Sequence, residues 1–141
     1  MYTLTIDKLD GEYQEVETLL LHSAFQIFCD FMDSEVLPDS IVDWGHDVHS
    51  SGIYLEMLYL YKWWNGRQDY TNATRGSYWP DDYMVFIDHV NKPYKSIEWD
   101  DEKYPFMSPA LRASHVESER MLKQETVNLQ RLMKIRRYLW T

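Results

Sequence analysis

Two groups of residues combine flat rings with guanidinium groups. Tyr59, Tyr61, Trp63 and Trp64 precede Arg67, and the last residues, RLMKIRRYLWT (131–141), place Arg131, Lys134, Arg136 and Arg137 beside Tyr138 and Trp140. A guanidinium beside an aromatic face binds a planar anion twice over, through charge and through stacking. The six residues expected to hold such a ligand are Trp63, Trp64 and Tyr138 as stacking rings, with Arg67, Arg136 and Arg137 meeting phosphate. The competing reading puts Trp64 and Tyr61 in the core, leaves Lys62 and Arg67 in water, and pairs the tail cations with Asp and Glu of a neighbouring helix.

Three histidines raise a second chemistry. His46 and His49 lie three apart beside Asp43 and Asp47, a set of imidazoles and carboxylates suited to zinc or another divalent ion. With His22 they define a metal-dependent hydrolase as the third reading of the chain. The plainer alternative is that the pair sits at a helix start and meets solvent. His22, Gln26 and Asp30 recur every four residues on an apolar stretch, which points to a hydrogen-bonded network between helices, or to acid–base work, with Glu56 able to join either. The chain has no G-x-S-x-G, P-loop, G-x-G-x-x-G, C-x-x-C or H-E-x-x-H sequence, so no specific motif supports an enzyme or a cofactor.

The elements that must position these groups read as helices. Residues 12–36 form the first, with Asp10 as cap, Val16, Leu19, Leu20, Ile27, Phe31 and Met32 along its apolar stripe, and Pro38 beyond its end. The second spans about 47–65, capped by Asp47 or Ser50, with Ile53, Met57, Leu60 and Trp64 on one face and Gly66 after the last turn. The third spans 109–140, with Ser108 as cap and Pro109 in its first turn. Leu122, Leu129, Leu132 and Leu139 form its stripe, which Glu125 and Arg136 share. Tyr2, Leu4 and Ile6 alternate with polar residues and suggest a short N-terminal strand. DDYMVFIDHV (81–90) reads equally as a short helix capped by Asp81 or as a buried strand. The expected fold is mainly α: one domain over 1–141, three long helices in a bundle, and a long irregular insertion at about 66–108.

Composition bounds the function. The chain has 141 residues, 45% of them hydrophobic and 16% aromatic, enough for a packed core without a staple. Its single cysteine, Cys29, lies in an apolar run and reads as a small buried hydrophobe. Residues 1–10 lack the basic and apolar regions of a signal peptide, and no run approaches a membrane span, so a reducing cytosol is expected. The sequon Asn72-Ala73-Thr74 then has no role. Net charge is −9, which disfavours duplex nucleic acid as a partner. Residues 111–141 carry a net +4, leaving −13 on residues 1–110. The basic segment is therefore expected to dock on the acidic remainder, on a second copy, or on a small anion.

Three segments, LLLHSAFQIFCDFM (19–32), LYLYKWWNGRQ (58–68) and RLMKIRRYLWT (131–141), resemble a widespread family of small helical proteins encoded by tailed bacteriophages. The resemblance covers about a third of the chain and supplies no catalytic motif. It implies synthesis in the cytoplasm of an infected bacterium and a role such as counter-defence, in which some small phage proteins sequester cyclic nucleotide signals. The leading expectation is a non-enzymatic, homo-oligomeric binding protein that sequesters a small nucleotide-like anion. An adaptor or inhibitor of a host protein is the alternative.

Overall fold

The computed structural model describes residues 3–7, 9, 14–38, 42–67 and 80–139. It is mainly helical, with a small two-stranded antiparallel sheet. The chain divides into two compact units, Met1–Arg67 with Gln124–Thr141, and Gln68–Lys123. The longest helix contributes its first part to the second unit and its last part to the first.

In the first unit α1 spans Val16–Phe31 and runs on into a π-helical turn, Met32–Val36, closed by the Leu37 N–H donating to the Met32 carbonyl at 2.8 Å. Helix α2 spans Val48–Gly66. The Asp47 carboxylate accepts the Ser50 N–H at 2.8 Å, satisfying one of the amides that a helix start leaves open. Helix α3 spans Met107–Ile135 and tightens into a 3-10 turn, Arg136–Tyr138. The core joins Phe25, Phe28, Cys29, Met32 and Val36 to Met57, Leu60 and Trp64 of α2 and to Leu132 and Ile135 of α3.

Helix α2 buries the face its periodicity predicts, with Ile53 half-buried at the rim. Helix α1 does not. Val16, Leu20 and Ile27 are exposed, and the buried face is His22, Phe25, Gln26, Phe28 and Cys29. Two polar residues are drawn inward because each finds a bond there. Gln26 donates to Asp30 Oδ1 at 2.9 Å and to Asp7 Oδ2 at 3.2 Å, and its Oε1 accepts the Asp7 N–H at 3.2 Å. On α3 the expected leucine stripe holds at Leu132, which is buried, and at Leu129 and Leu139, which pack against the core. Leu122 is exposed, and Asn128 and Ile135 join the buried face beside Leu132.

The N-terminal strand is not formed: residues 3–6 have no regular structure. Helix α1 begins at Val16, with Glu15 before it, and the expected cap Asp10 lies outside the described residues, as do Tyr2 and Trp140.

Within the expected irregular stretch the described residues form a hairpin, and residues 68–79 lie outside the described residues. β1 (Met84–Asp88) pairs antiparallel with β2 (Lys95–Trp99), aligning Met84 with Trp99 and Phe86 with Ile97. Asn91 turns the connection at φ 65°, a left-handed conformation that asparagine tolerates better than most side chains. Tyr83 is fully buried. Its hydroxyl donates to Asp101 Oδ1 at 3.0 Å and lies 2.8 Å from Ser108 Oγ, which also donates to Asp101 at 2.7 Å. Helix α3 starts one residue before Ser108, whose hydroxyl serves this cluster instead of capping the helix.

Candidate functional site

Arg67 is the residue that ends α2, and its backbone N–H still donates to the Trp63 carbonyl at 3.0 Å. That places its side chain over the last-turn tryptophans. The guanidinium carbon lies 4.2 Å from the Trp64 ring centre and 5.5 Å from that of Trp63. Trp64 stacks on Phe25 at 4.6 Å and 11°, and His22 meets the Trp64 ring edge-on at 4.8 Å. Nη1 of Arg67 bonds to Glu125 of α3, and Nη2 lies 3.3 Å from His22 Nε2. A guanidinium has only donors, so a hydrogen bond at this contact requires His22 Nε2 to accept. Trp63, Trp64 and Arg67 are thus brought together as predicted. The set faces inward: Arg67 is 7% exposed and Trp64 2%. The partner taken by the cation is the protein's own carboxylate.

Arg131 is engaged in the same way. Its Nε and Nη2 bond the two carboxylate oxygens of Glu56 at 2.6 and 2.7 Å, and its guanidinium carbon sits 3.9 Å from the Tyr59 ring centre. Such a fork is the strongest geometry available to the pair. It holds the Glu56 carboxyl below the usual range, chiefly through the Arg131 hydrogen bonds.

Arg136 and Arg137 are exposed, and neither has an ion pair among the described residues. The Arg137 guanidinium carbon lies 5.6 Å from the Tyr138 ring centre, and the Tyr138 hydroxyl is 2.8 Å from His49 Nε2. The contacts 49–138, 56–131 and 67–125 match rising numbers on α2 with falling ones on α3, so these two helical segments run antiparallel. At 1.5 Å per residue, the Arg67–Glu125 and His49–Tyr138 contacts are about 20 Å apart along α3. The six expected ligand residues therefore form two separate groups. A small molecule bridging them is not what this arrangement holds.

The histidines do not converge either. His46 approaches Asp47 at 2.6 Å, His49 bonds Tyr138 and His22 meets Arg67. Among the described residues no three His, Cys, Asp or Glu side chains are placed to share a metal ion. No helix among them is long and apolar enough to cross a membrane.

The open feature lies in the second unit, where sequence reasoning placed no site. One face of the hairpin carries Met84, Phe86, Ile97 and Trp99, with Phe86 56%, Ile97 49% and Trp99 44% exposed. The Asp88–Lys95 ion pair, 3.2 Å long, closes the end of that face nearest the turn. Val85, on the opposite face, is 42% exposed. Residues 80–106 hold seven carboxylates against three lysines. One carboxylate, Asp82, is taken by Lys103 and by the Tyr104 hydroxyl at 2.5 Å, which hold it below the usual range. The signal in the sequence was the alternation of Phe86 with Met84 and of Ile97 with Trp99, in strands of only five residues. In comparison with known proteins, no family model, no curated sequence and no solved structure matches this chain.

Proposed function

We propose that this chain is a non-enzymatic adaptor or inhibitor that acts by docking another protein on the hairpin of its second unit. The supporting observation is the exposure of Phe86, Ile97 and Trp99 on one hairpin face, beside half-buried Met84 and inside an acidic surround. A two-stranded sheet is marginal in water without packing on its apolar face. Apolar side chains rimmed by charge are the common form of a protein-binding patch. The resemblance to phage-encoded helical proteins supplies the setting, a bacterial cytoplasm in which a host factor is the partner. Affinity capture from bacterial lysate tests this. The native chain retains one stoichiometric protein and the Phe86→Asp/Ile97→Asp variant loses it; equal retention by both removes the reading.

A second reading rests on Arg136 and Arg137, two adjacent exposed guanidinium groups with no acid partner among the described residues. They suit a small phosphate-bearing ligand, such as a cyclic nucleotide of bacterial immunity, bound without help from Trp63, Trp64 or Arg67. Calorimetry with a panel of cyclic oligonucleotides tests it. Micromolar binding that disappears in Arg136→Ala/Arg137→Ala supports this reading, and no binding to any member removes it.

A further inference from the structure

We infer that the partner enters as an extended, basic segment that adds to the hairpin as a third strand along the outer edge of β1. This rests on the hairpin docking proposed above and specifies its mode. The two strands meet only each other among the described residues, so each has one edge turned away from its neighbour. Natural sheets guard such edges with lysine, proline, inward charge or a bulge. β2 is guarded, with Lys95 at its start and Glu98 within it. β1 is not: it reads Met-Val-Phe-Ile before its only charge, Asp88, and its pairing runs from Met84 to Asp88 without a bulge. An unguarded five-residue edge offers a ladder of backbone hydrogen bonds to any strand laid against it.

Side-chain chemistry then selects the strand. Val85 and Phe86 point to opposite faces of the sheet and both are exposed, so an added strand gains apolar contact on either side. Asp81 and Asp82 precede β1, Asp88 ends it, and Asp100, Asp101 and Glu102 follow β2. Asp82 and Asp88 are matched by Lys103 and Lys95, and the other five carboxylates of residues 80–106 outnumber the one remaining lysine, Lys92. A strand alternating lysine or arginine with valine or isoleucine satisfies both demands, whereas an acidic one is repelled.

The test uses the full chain and three synthetic heptapeptides. One alternates lysine with valine. The second is the same peptide with N-methyl groups on the amides of one edge, and the third alternates glutamate with valine. Residues 84–88 are followed by NMR. The lysine peptide is expected to bind, to shift the β1 amides more than those of β2, and to slow their hydrogen exchange. N-methylation weakens it about tenfold or more, the glutamate peptide does not bind, and Val85→Lys weakens the lysine peptide by a similar factor. Equal affinity of the methylated and parent peptides overturns strand addition, as does protection of the outward β1 amides in the free protein. Failure of the docking reading is distinct: it appears as lysate capture that survives Phe86→Asp/Ile97→Asp, whatever the peptides do.

Discussion

The Arg67 guanidinium lies between the Trp64 ring and the Glu125 carboxylate, with the two charged side chains only 7% and 14% exposed. A pair this shielded contributes little net stability compared with well-packed apolar residues, yet removing one partner strands the other charge away from water. Glu125→Gln is therefore expected to cost about 3–5 kcal/mol in denaturant unfolding. The double change Arg67→Met/Glu125→Leu is expected to be close to neutral. A Gln variant as stable as the parent chain would mean that the pair does not form in solution.

Tyr61 reports on a different helix contact. Its hydroxyl donates to Asp33 Oδ1 at 2.6 Å, and that bond, reinforced by partial burial and by the carboxylate charge, pushes its ionisation up to about 12. The chain has eleven tyrosines. Absorbance titration should show one of them ionising near pH 12, and Asp33→Asn should bring it back towards 10. The folded state favours the neutral phenol, so the contribution to stability is complete below pH 10 and fades as pH rises towards 12. A single tyrosine transition near pH 10 would contradict the contact.

Which parts of this architecture were legible follows from how local their causes are. Helix α2 was readable because Met57, Leu60 and Trp64 repeat at helical spacing and Asp47 supplies a capping carboxylate three residues before the Ser50 N–H that donates to it. In α1 ten of the sixteen positions are apolar and they are spread round the helix, so several faces could be drawn. The one chosen depends on Arg67 reaching His22 and on Asp7 reaching Gln26, 45 and 19 residues away. The charge partner of Arg67 is 58 residues distant, and no spacing rule connects Arg67 to Glu125. The aromatic–arginine grouping was thus read correctly as a grouping, while its closure by a carboxylate is a tertiary fact. The strand at 84–88 was one of two readings of an apolar run. Its partner at 95–99 was missed, because two apolar residues in five carry little periodic signal.

The fork between Arg131 and Glu56 gives stability an acid limb. Arg131 holds the Glu56 carboxyl below its ordinary value, aided by the charge of Lys134. A carboxylate depressed in the folded state contributes above its unfolded pKa, and the contribution is lost as pH falls through the folded value. Glu56→Gln should therefore cost about 1 kcal/mol near neutrality, since both side chains keep roughly a third of their exposure. The gap between variant and parent should narrow steadily below pH 4.5, the carboxyl's unperturbed value. Parallel stability curves from pH 7 to 3 would assign the stability at this contact to packing instead of charge.

Asn128 tests the core of the first unit from within. It is 1% exposed, one and two turns before the buried Leu132 and Ile135, and its Nδ2 has no hydrogen-bond partner among the described residues. A buried donor without an acceptor costs about 1–3 kcal/mol, and an apolar side chain of similar size removes that cost. Asn128→Leu is expected to raise the melting temperature by about 3–5 °C. Asn128→Asp should lower it at neutral pH, because a carboxylate brings charge into the same shielded place. If the leucine variant melts lower than the parent, the amide is bonded in solution, and a water held between α3 and its neighbours is the partner that neutron diffraction or water-selective NMR should then find.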